Sequence, residues 1–294
     1  MYKNRNIILL SFATLDLKRS IKRFAMQAKN SNYYDRIKIV TPNELSNSNK
    51  EKINHFLNQG KKRGYCYWYW KPLLLLETLD QVEDGDIIHY LDIGFHINKN
   101  SSNRFYEYLD LLIEPDRSLL AFQYFPLKSE KSEAIDFPKR EELKYTKTDL
   151  LDHFGKLNDI GITHSPQFSA GNIFIKKDKK SKIFLTSWND VFERRFDLID
   201  DTPSKIKNFE NFIENRHDQS VFSILCKINL IKSLSAYEFD WGEKDQKRTW
   251  EHITNYPFLA KRDLKYNIFK RFLRRQAKNL KKIKKNFMER WPSG

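Results

Sequence analysis

The stretch "GDIIHYLDIGFHIN", residues 85–98, sets Asp92 and Gly94 at the tip of an otherwise apolar run. A buried strand has no use for a carboxylate at its end, and a turn needs only the glycine. The charge can coordinate a divalent cation or accept hydrogen bonds from a ribose, while the glycine lets a ligand approach the backbone. A turn or helix N-cap aspartate is the plain alternative. The second cluster, "GYCYWYWKP", runs aromatic rings from Tyr65 to Trp70 directly into Lys71. It offers a surface able to stack on a base or sugar beside a cation able to meet a phosphate, or else an aromatic core corner with an exposed lysine. The third, "PQFSAGNIFIKK", places Ser169, Ala170 and Gly171 at a strand, where a bare backbone admits a ligand, with the Asn172 amide beside it. The fourth, "NRHDQSVFSIL", sets Arg216, His217, Asp218, Gln219 and Ser220 in succession ahead of an apolar helical run. Asp218 reads equally well there as an N-cap.

The elements that must hold these residues alternate. "NIILLSF" has the continuous apolar character of a strand covered on both faces. Ile21, Phe24, Ala25 and Ala28 then recur at helical spacing, and "DRIKIVTP" is a second strand stopped by Pro42. A polar helix over 44–62 ends at Gly60, and "LLLLETLDQV" after Pro72 is another helix. "IIHYLDIG", "SLLAFQYF" and "FSAGNIFIKK" read as strands. From about Lys177 to Leu234 the pattern is helical around a polar linker with Pro203, and "AYEFDWGE" is irregular with a short strand. This order predicts an α/β fold, a mostly parallel sheet with helices on both faces. Ligands of such sheets sit outside the carboxyl ends of the strands, which is where Asp92 falls.

Composition narrows the function classes. The 294 residues are 40% hydrophobic and 14% aromatic, values of a folded chain. The net charge of +15 is concentrated at one end: residues 261–294 hold 13 Lys and Arg against Asp263 and Glu289, leaving 40 against 36 for residues 1–260. Cys66 and Cys226 are the only cysteines and have no metal-ligand spacing, so two reduced thiols are expected. No apolar run reaches the roughly 18 residues of a membrane span, and "NIILLSF" is too short for a signal segment. These features predict a cytoplasmic protein.

Taken in order, "YWYWKP", "GDIIHYLDIG", "FSAGNIFI" and "RHDQSVFSIL" resemble the motifs of bacterial glycosyltransferases with the GT-A fold that build capsular polysaccharide and lipopolysaccharide, retaining hexosyltransferases among them. The resemblance covers roughly residues 5 to 235 and implies a GT-A-like, Rossmann-like domain over 1–260. It implies that Asp92 is the first aspartate of an Asp-x-Asp motif facing the nucleotide and a divalent metal, Mn²⁺ or Mg²⁺. Gly94 stands where the second carboxylate would be, which leaves His96, His217 or Asp218 as candidate second ligands. By the same resemblance Ser169, Ala170 and Gly171 line the donor-sugar or acceptor pocket, and Lys71 meets the pyrophosphate beside Trp70. Gln219 sits near the anomeric carbon and Asp218 binds the donor sugar's hydroxyls. The implied reaction moves a hexose, galactose or glucose, from a UDP-sugar to a polysaccharide or lipid-linked glycan.

The basic end has its own pattern. Phe269, Leu273, Ala277, Leu280, Phe287 and Trp291 fall on one face of a helix whose other positions are Lys and Arg. Such a C-terminal amphipathic helix, 261–294, can lie on an anionic membrane and would make the enzyme peripheral on the inner face of the plasma membrane. A nucleic-acid binder is the rival class, and it is disfavoured because the aromatic cluster lies some 200 residues from the basic end and residues 1–260 are nearly balanced in charge. A non-catalytic module binding sugar nucleotides is the other alternative, suggested by Gly94.

Overall fold

The computed structural model describes residues 1–128 and 133–261; the amphipathic helix expected within 261–294 lies outside the described residues apart from Lys261. In chain order the strands include β1 (Ile7–Phe12), β2 (Arg36–Val40), β3 (Ile87–Leu91), β4 (His96–Ile97), β5 (Leu119–Gln123), β6 (Phe168–Lys176) and β7 (Ser233–Ser235). All of these but β4 join one sheet in the order β2-β1-β3-β6-β5-β7. β1 pairs parallel with β2 and β3, and β5 pairs parallel with β7, whereas β6 runs antiparallel to both β3 and β5. The α/β class with a mostly parallel sheet is therefore as expected, with one strand reversed.

The helices are α1 (Lys18–Ser31), α2 (Asn47–Asn58), a short turn α3 (Gly64–Tyr67), α4 (Trp70–Leu79), α5 (Ser102–Ile113), α6 (Glu142–Tyr145), α7 (Thr148–His153), α8 (Ile160–Thr163), α9 (Lys179–Arg194) and α10 (Asp218–Ile228). They cover both faces of the sheet, and strand alternation decides which residues meet which layer. Ile8, Leu10 and Phe12 of β1 and Ile88 and Tyr90 of β3 pack with Leu73, Leu74 and Leu75 of α4, Trp188 of α9 and Phe222 of α10. Ile7 and Leu9, with Ile87 and Leu91, pack instead on Phe24 and Ala28 of α1 and Phe105, Tyr108 and Leu109 of α5. α4 is buried nearly all round, from Trp70 through Leu75, so its leucine run shows no amphipathic period. Each fully buried leucine there contributes roughly 1.5–3 kcal/mol relative to an exposed one.

Two features of the sheet position the site. β2 and β3 lie on opposite sides of β1, so the winding reverses between β1 and β3, and ligands of open α/β sheets bind at such a point. β6 carries an irregularity: Phe168 and Ala170 face the α4 layer, and so do Ile173 and Ile175, which strict alternation forbids. The β5–β6 register shifts between Leu120 and Phe122 to absorb it. Across that shift β5 advances two residues and β6 five, so β6 carries three extra residues between Ser169 and Phe174, beside the end of β3.

Some elements differ from the sequence reading. β7 occupies the end of the stretch read as helical, and β4 pairs with a short strand at Phe258–Leu259. In "AYEFDWGE", Ala236–Glu238 forms a turn of 3-10 helix and Gly242–Lys244 a short strand. Both cysteines are free and buried, and burial pushes the Cys66 thiol up to about 12. No described helix is long and apolar enough to cross a membrane.

Candidate active site

β3 stops at Leu91, and the next residue, Asp92, still donates its backbone N–H to the Gly171 carbonyl of β6 at 2.9 Å. The chain then turns through Ile93 and Gly94, closed by the Phe95 N–H donating to the Asp92 carbonyl at 2.9 Å. Arg23 of α1 holds this turn from behind, its guanidinium donating to the carbonyls of Ile93 (3.0 Å) and Phe95. The Asp92 side chain is 37% exposed. Its Oδ1 accepts from the Tyr90 hydroxyl at 2.5 Å. Tyr90 lies two residues back on the same strand, hence on the same face. Oδ2 is the oxygen turned toward Gly171: a Cβ added there would lie 3.0 Å from it and 3.4 Å from the Phe95 ring. Gly171 is thus needed for close approach and not for its dihedral angles.

Under Asp92 lies a buried ion pair. Lys71 enters from the first turn of α4, and its ammonium donates to Asp218 Oδ2 at 2.5 Å and to the Ala170 carbonyl at 3.0 Å. Asp92 Oδ1 is 3.7 Å away, and the rings of Tyr90 and Trp70 flank the ammonium at 5.1 and 5.7 Å. The Lys71 side chain is only 3% exposed, so it does not reach outward as a free phosphate hook would. Burial works to discharge Lys71, but Asp218, and then Asp92, outweigh it and hold the ammonium above its ordinary range. Burial likewise raises the Asp218 carboxyl to about 6, against the pull of Lys71. At neutral pH the pair is charged on both sides. Asp218 is the first residue of α10, and its carboxylate is spent on Lys71, while its carbonyl accepts from the Trp188 indole at 3.2 Å.

The remaining sequence candidates fall into neighbouring roles. Gln219 is half-buried and its amide nitrogen donates to Gln167 Oε1 at 3.0 Å. Gln167 is fixed in turn by the Glu142 carboxylate and the Thr146 hydroxyl, at 3.0 and 2.9 Å. Ser169 is buried, with its hydroxyl 3.3 Å from the Gly171 N–H. Trp70 stacks on Phe12 at 4.2 Å and donates its indole N–H to the Gly64 carbonyl, so it is a core ring. The half-exposed rings of that cluster are Tyr65 and Trp68. His217 has φ 54° and ψ −117°, donates from Nδ1 to the Ile199 carbonyl at 2.6 Å, and stacks on Trp68. Burial holds its pKa below the ordinary value.

The structure therefore brings Lys71, Asp92, Ala170, Gly171 and Asp218 together. It does not supply the expected metal partners. The His96 Nδ1 lies 3.4 Å from the Gln27 amide of α1, and the His217 ring lies against Ile199, Tyr67 and Trp68. Among the described residues no group of three His, Cys, Asp or Glu side chains is placed to hold a metal ion. Where Asp92 and Asp218 come near each other, the ammonium of Lys71 lies 2.5 Å from Asp218 and 3.7 Å from Asp92, so with Lys71 in place the site does not fit a divalent ion. Sequence reasoning missed Tyr90, Arg23, Gln167 and Trp188. Tyr90 alone left a signal, its two-residue offset from Asp92.

Neither family models nor curated proteins match the sequence. Among solved structures the chain is similar to a glycosyltransferase involved in glycosylation of the major capsid of PBCV-1, at 11% identity over 86% of this chain and 91% of that one, with a TM-score of 0.41. It is similar to mouse xyloside xylosyltransferase 1 at 11% identity, 80% and 86% coverage and a TM-score of 0.42. It is also similar to the galactosyltransferase LgtC, at 12% identity, 80% and 75% coverage and a TM-score of 0.38. At these TM-scores the likeness assigns neither substrate nor chemistry to this chain.

Proposed function

We propose that this chain is a GT-A-type glycosyltransferase that moves a hexose, galactose or glucose foremost, from a nucleotide sugar, a UDP-sugar foremost, to a surface polysaccharide or lipid-linked glycan of the capsular or lipopolysaccharide kind. The observation that carries this reading is the partly exposed carboxylate of Asp92, whose Oδ2 lies against Gly171. It sits at the carboxyl end of β3, at the point where the sheet reverses its winding, beside the bare backbone of Gly171. Tyr90 fixes the other oxygen, so Oδ2 is a preset acceptor for a ribose or sugar hydroxyl.

Transfer breaks the anomeric carbon–oxygen bond to the diphosphate, and negative charge develops on the leaving phosphate oxygen. Gln219 has its amide nitrogen tied to Gln167, which leaves its carbonyl oxygen as the group to offer an oxocarbenium-like centre. An amide is no strong nucleophile, and Asp218 is committed to Lys71. This favours retention through front-face displacement, the diphosphate taking the acceptor's proton. The enzyme would work in the cytoplasm, held at the inner face of the plasma membrane by the basic segment 261–294, whose cations suit anionic lipid.

The test is thermal stabilisation across a panel of nucleotide sugars and nucleoside diphosphates, since a ligand that prefers the native state raises its melting temperature. One UDP-hexose is expected to give the largest shift. No shift with any nucleotide would overturn the reading.

A further inference from the structure

The three oxygens around Lys71 are those a hard cation takes: a carboxylate oxygen from Asp218, one from Asp92 and the backbone carbonyl of Ala170. The ammonium lies 2.5, 3.7 and 3.0 Å from them. Tyr90 and Trp70 close its flanks, and the side chain is 3% exposed. A divalent ion could enter this set only by driving the ammonium out, leaving a buried cation without its partner. The position two residues after Asp92, which could have brought in another carboxylate, is Gly94.

We propose that Lys71 is the resident cation of this site, standing where a divalent ion would otherwise bridge Asp92 and Asp218, and that nucleotide-sugar binding by this chain is independent of divalent metal. The proposal rests on the glycosyltransferase reading for its ligand but not for its ion. Lys71 acts on the donor through Asp92: it fixes Oδ1 from below together with Tyr90, so that Oδ2 keeps its direction toward the ligand. It is a positioning residue, not a catalytic one.

Two titrations of the full chain test this. In the first, free Mn²⁺ is followed by its electron paramagnetic resonance signal as protein is added. Wild type is expected to take up no Mn²⁺ at millimolar concentration, whereas Lys71→Met, which removes the charge and keeps the length, is expected to take up one ion per chain. Uptake of one Mn²⁺ per wild-type chain, lost in Asp92→Asn, would overturn the proposal. So would a Lys71→Met protein that melts cooperatively and takes up none. In the second titration, calorimetry of UDP-hexose binding is expected to give dissociation constants within twofold in EDTA and in Mn²⁺. A tenfold loss in EDTA would refute metal independence without any variant. Absence of nucleotide binding under every condition would defeat the glycosyltransferase reading, and the Mn²⁺ titration would still decide on Lys71.

Discussion

Replacing Gly171 with alanine adds one methyl at the most constrained contact of the site. The backbone there does not require glycine's dihedral angles, so the methyl acts only through what it touches: Asp92 Oδ2 at 3.0 Å, Asp92 Cγ at 3.5 Å and the Phe95 ring at 3.4 Å. The carboxylate must give by a few tenths of an ångström. Tyr90 holds its other oxygen, so the displacement falls on Oδ2. A misplacement of ~1 Å at a reacting centre costs about 100-fold, and a few tenths of that distance scale to about fourfold, or ~0.8 kcal/mol of transition-state binding. Stability should change little, because the loss of chain freedom on replacing glycine favours folding by about 0.4–1 kcal/mol and offsets part of the crowding. The assay pairs turnover, or UDP-hexose affinity by calorimetry, with a thermal melt. Turnover and affinity both within twofold of wild type would show that Asp92 Oδ2 does not touch the ligand, and the site as drawn would fall.

Asp92→Ala is expected to abolish transfer while the melt moves little, since the carboxylate is partly exposed and Lys71 keeps Asp218 and the Ala170 carbonyl; measurable turnover at the wild-type rate would remove Asp92 from the mechanism. His89 supplies a pH dependence of stability. It is buried against Phe174, with the Tyr34 hydroxyl and Asn172 Oδ1 each 2.8 Å from a ring nitrogen, and burial lowers its pKa to about 3. Because the folded value is depressed below the unfolded ~6.5, the neutral ring's contribution is whole above that pH and is lost as pH falls toward 3, up to roughly 5 kcal/mol at ~1.4 kcal/mol per unit. Denaturant titrations at pH 7 and pH 4 should therefore diverge in wild type and converge in His89→Gln, and equal slopes in the two proteins would refute this. Deleting residues 264–294 is expected to release the protein from anionic liposomes and to leave UDP-hexose binding unchanged, and equal liposome sedimentation with and without the segment would remove the anchor.

The parts of this architecture that local pattern encodes were legible. β1, β3 and β6 are apolar runs that only a doubly covered sheet explains, and Asp92 announces itself as a charge at the end of one. The reversal of β6 was not legible, because a strand's apolar pattern says nothing about its direction. Nor was the inward course of Lys71: its partner Asp218 is 147 residues away, and only the packing of α4 against the sheet brings them together. His96 and His217 were candidate second ligands because Gly94 stands where a carboxylate was expected, yet the first lies beside Gln27 and the second hydrogen-bonds Ile199.

The backbone on both sides of the Lys71–Asp218 pair is strained, and the two strains meet. Gly64, Tyr65, Cys66, Tyr67 and Trp68 all have positive φ, between 50° and 68°, so the chain makes a left-handed turn before α4 begins. Only the first of the five is glycine, and a Cβ on it would lie 2.6 Å from the Trp68 ring. Left-handed conformation costs the others roughly 1–2 kcal/mol per residue. His217, immediately before Asp218, also has positive φ, and its ring stacks on Trp68 of that same turn, 5.6 Å between centroids. The burial of Cys66, Tyr67, Tyr69 and Trp70 in the α4 layer offsets the cost. A fold needing only stability would gain as much from an apolar pair in place of Lys71 and Asp218 and would have no call for either strained segment. Strain that is over-determined by packing and flanks one buried ion pair, beside the partly exposed carboxylate of Asp92, is of the kind that clusters at functional sites.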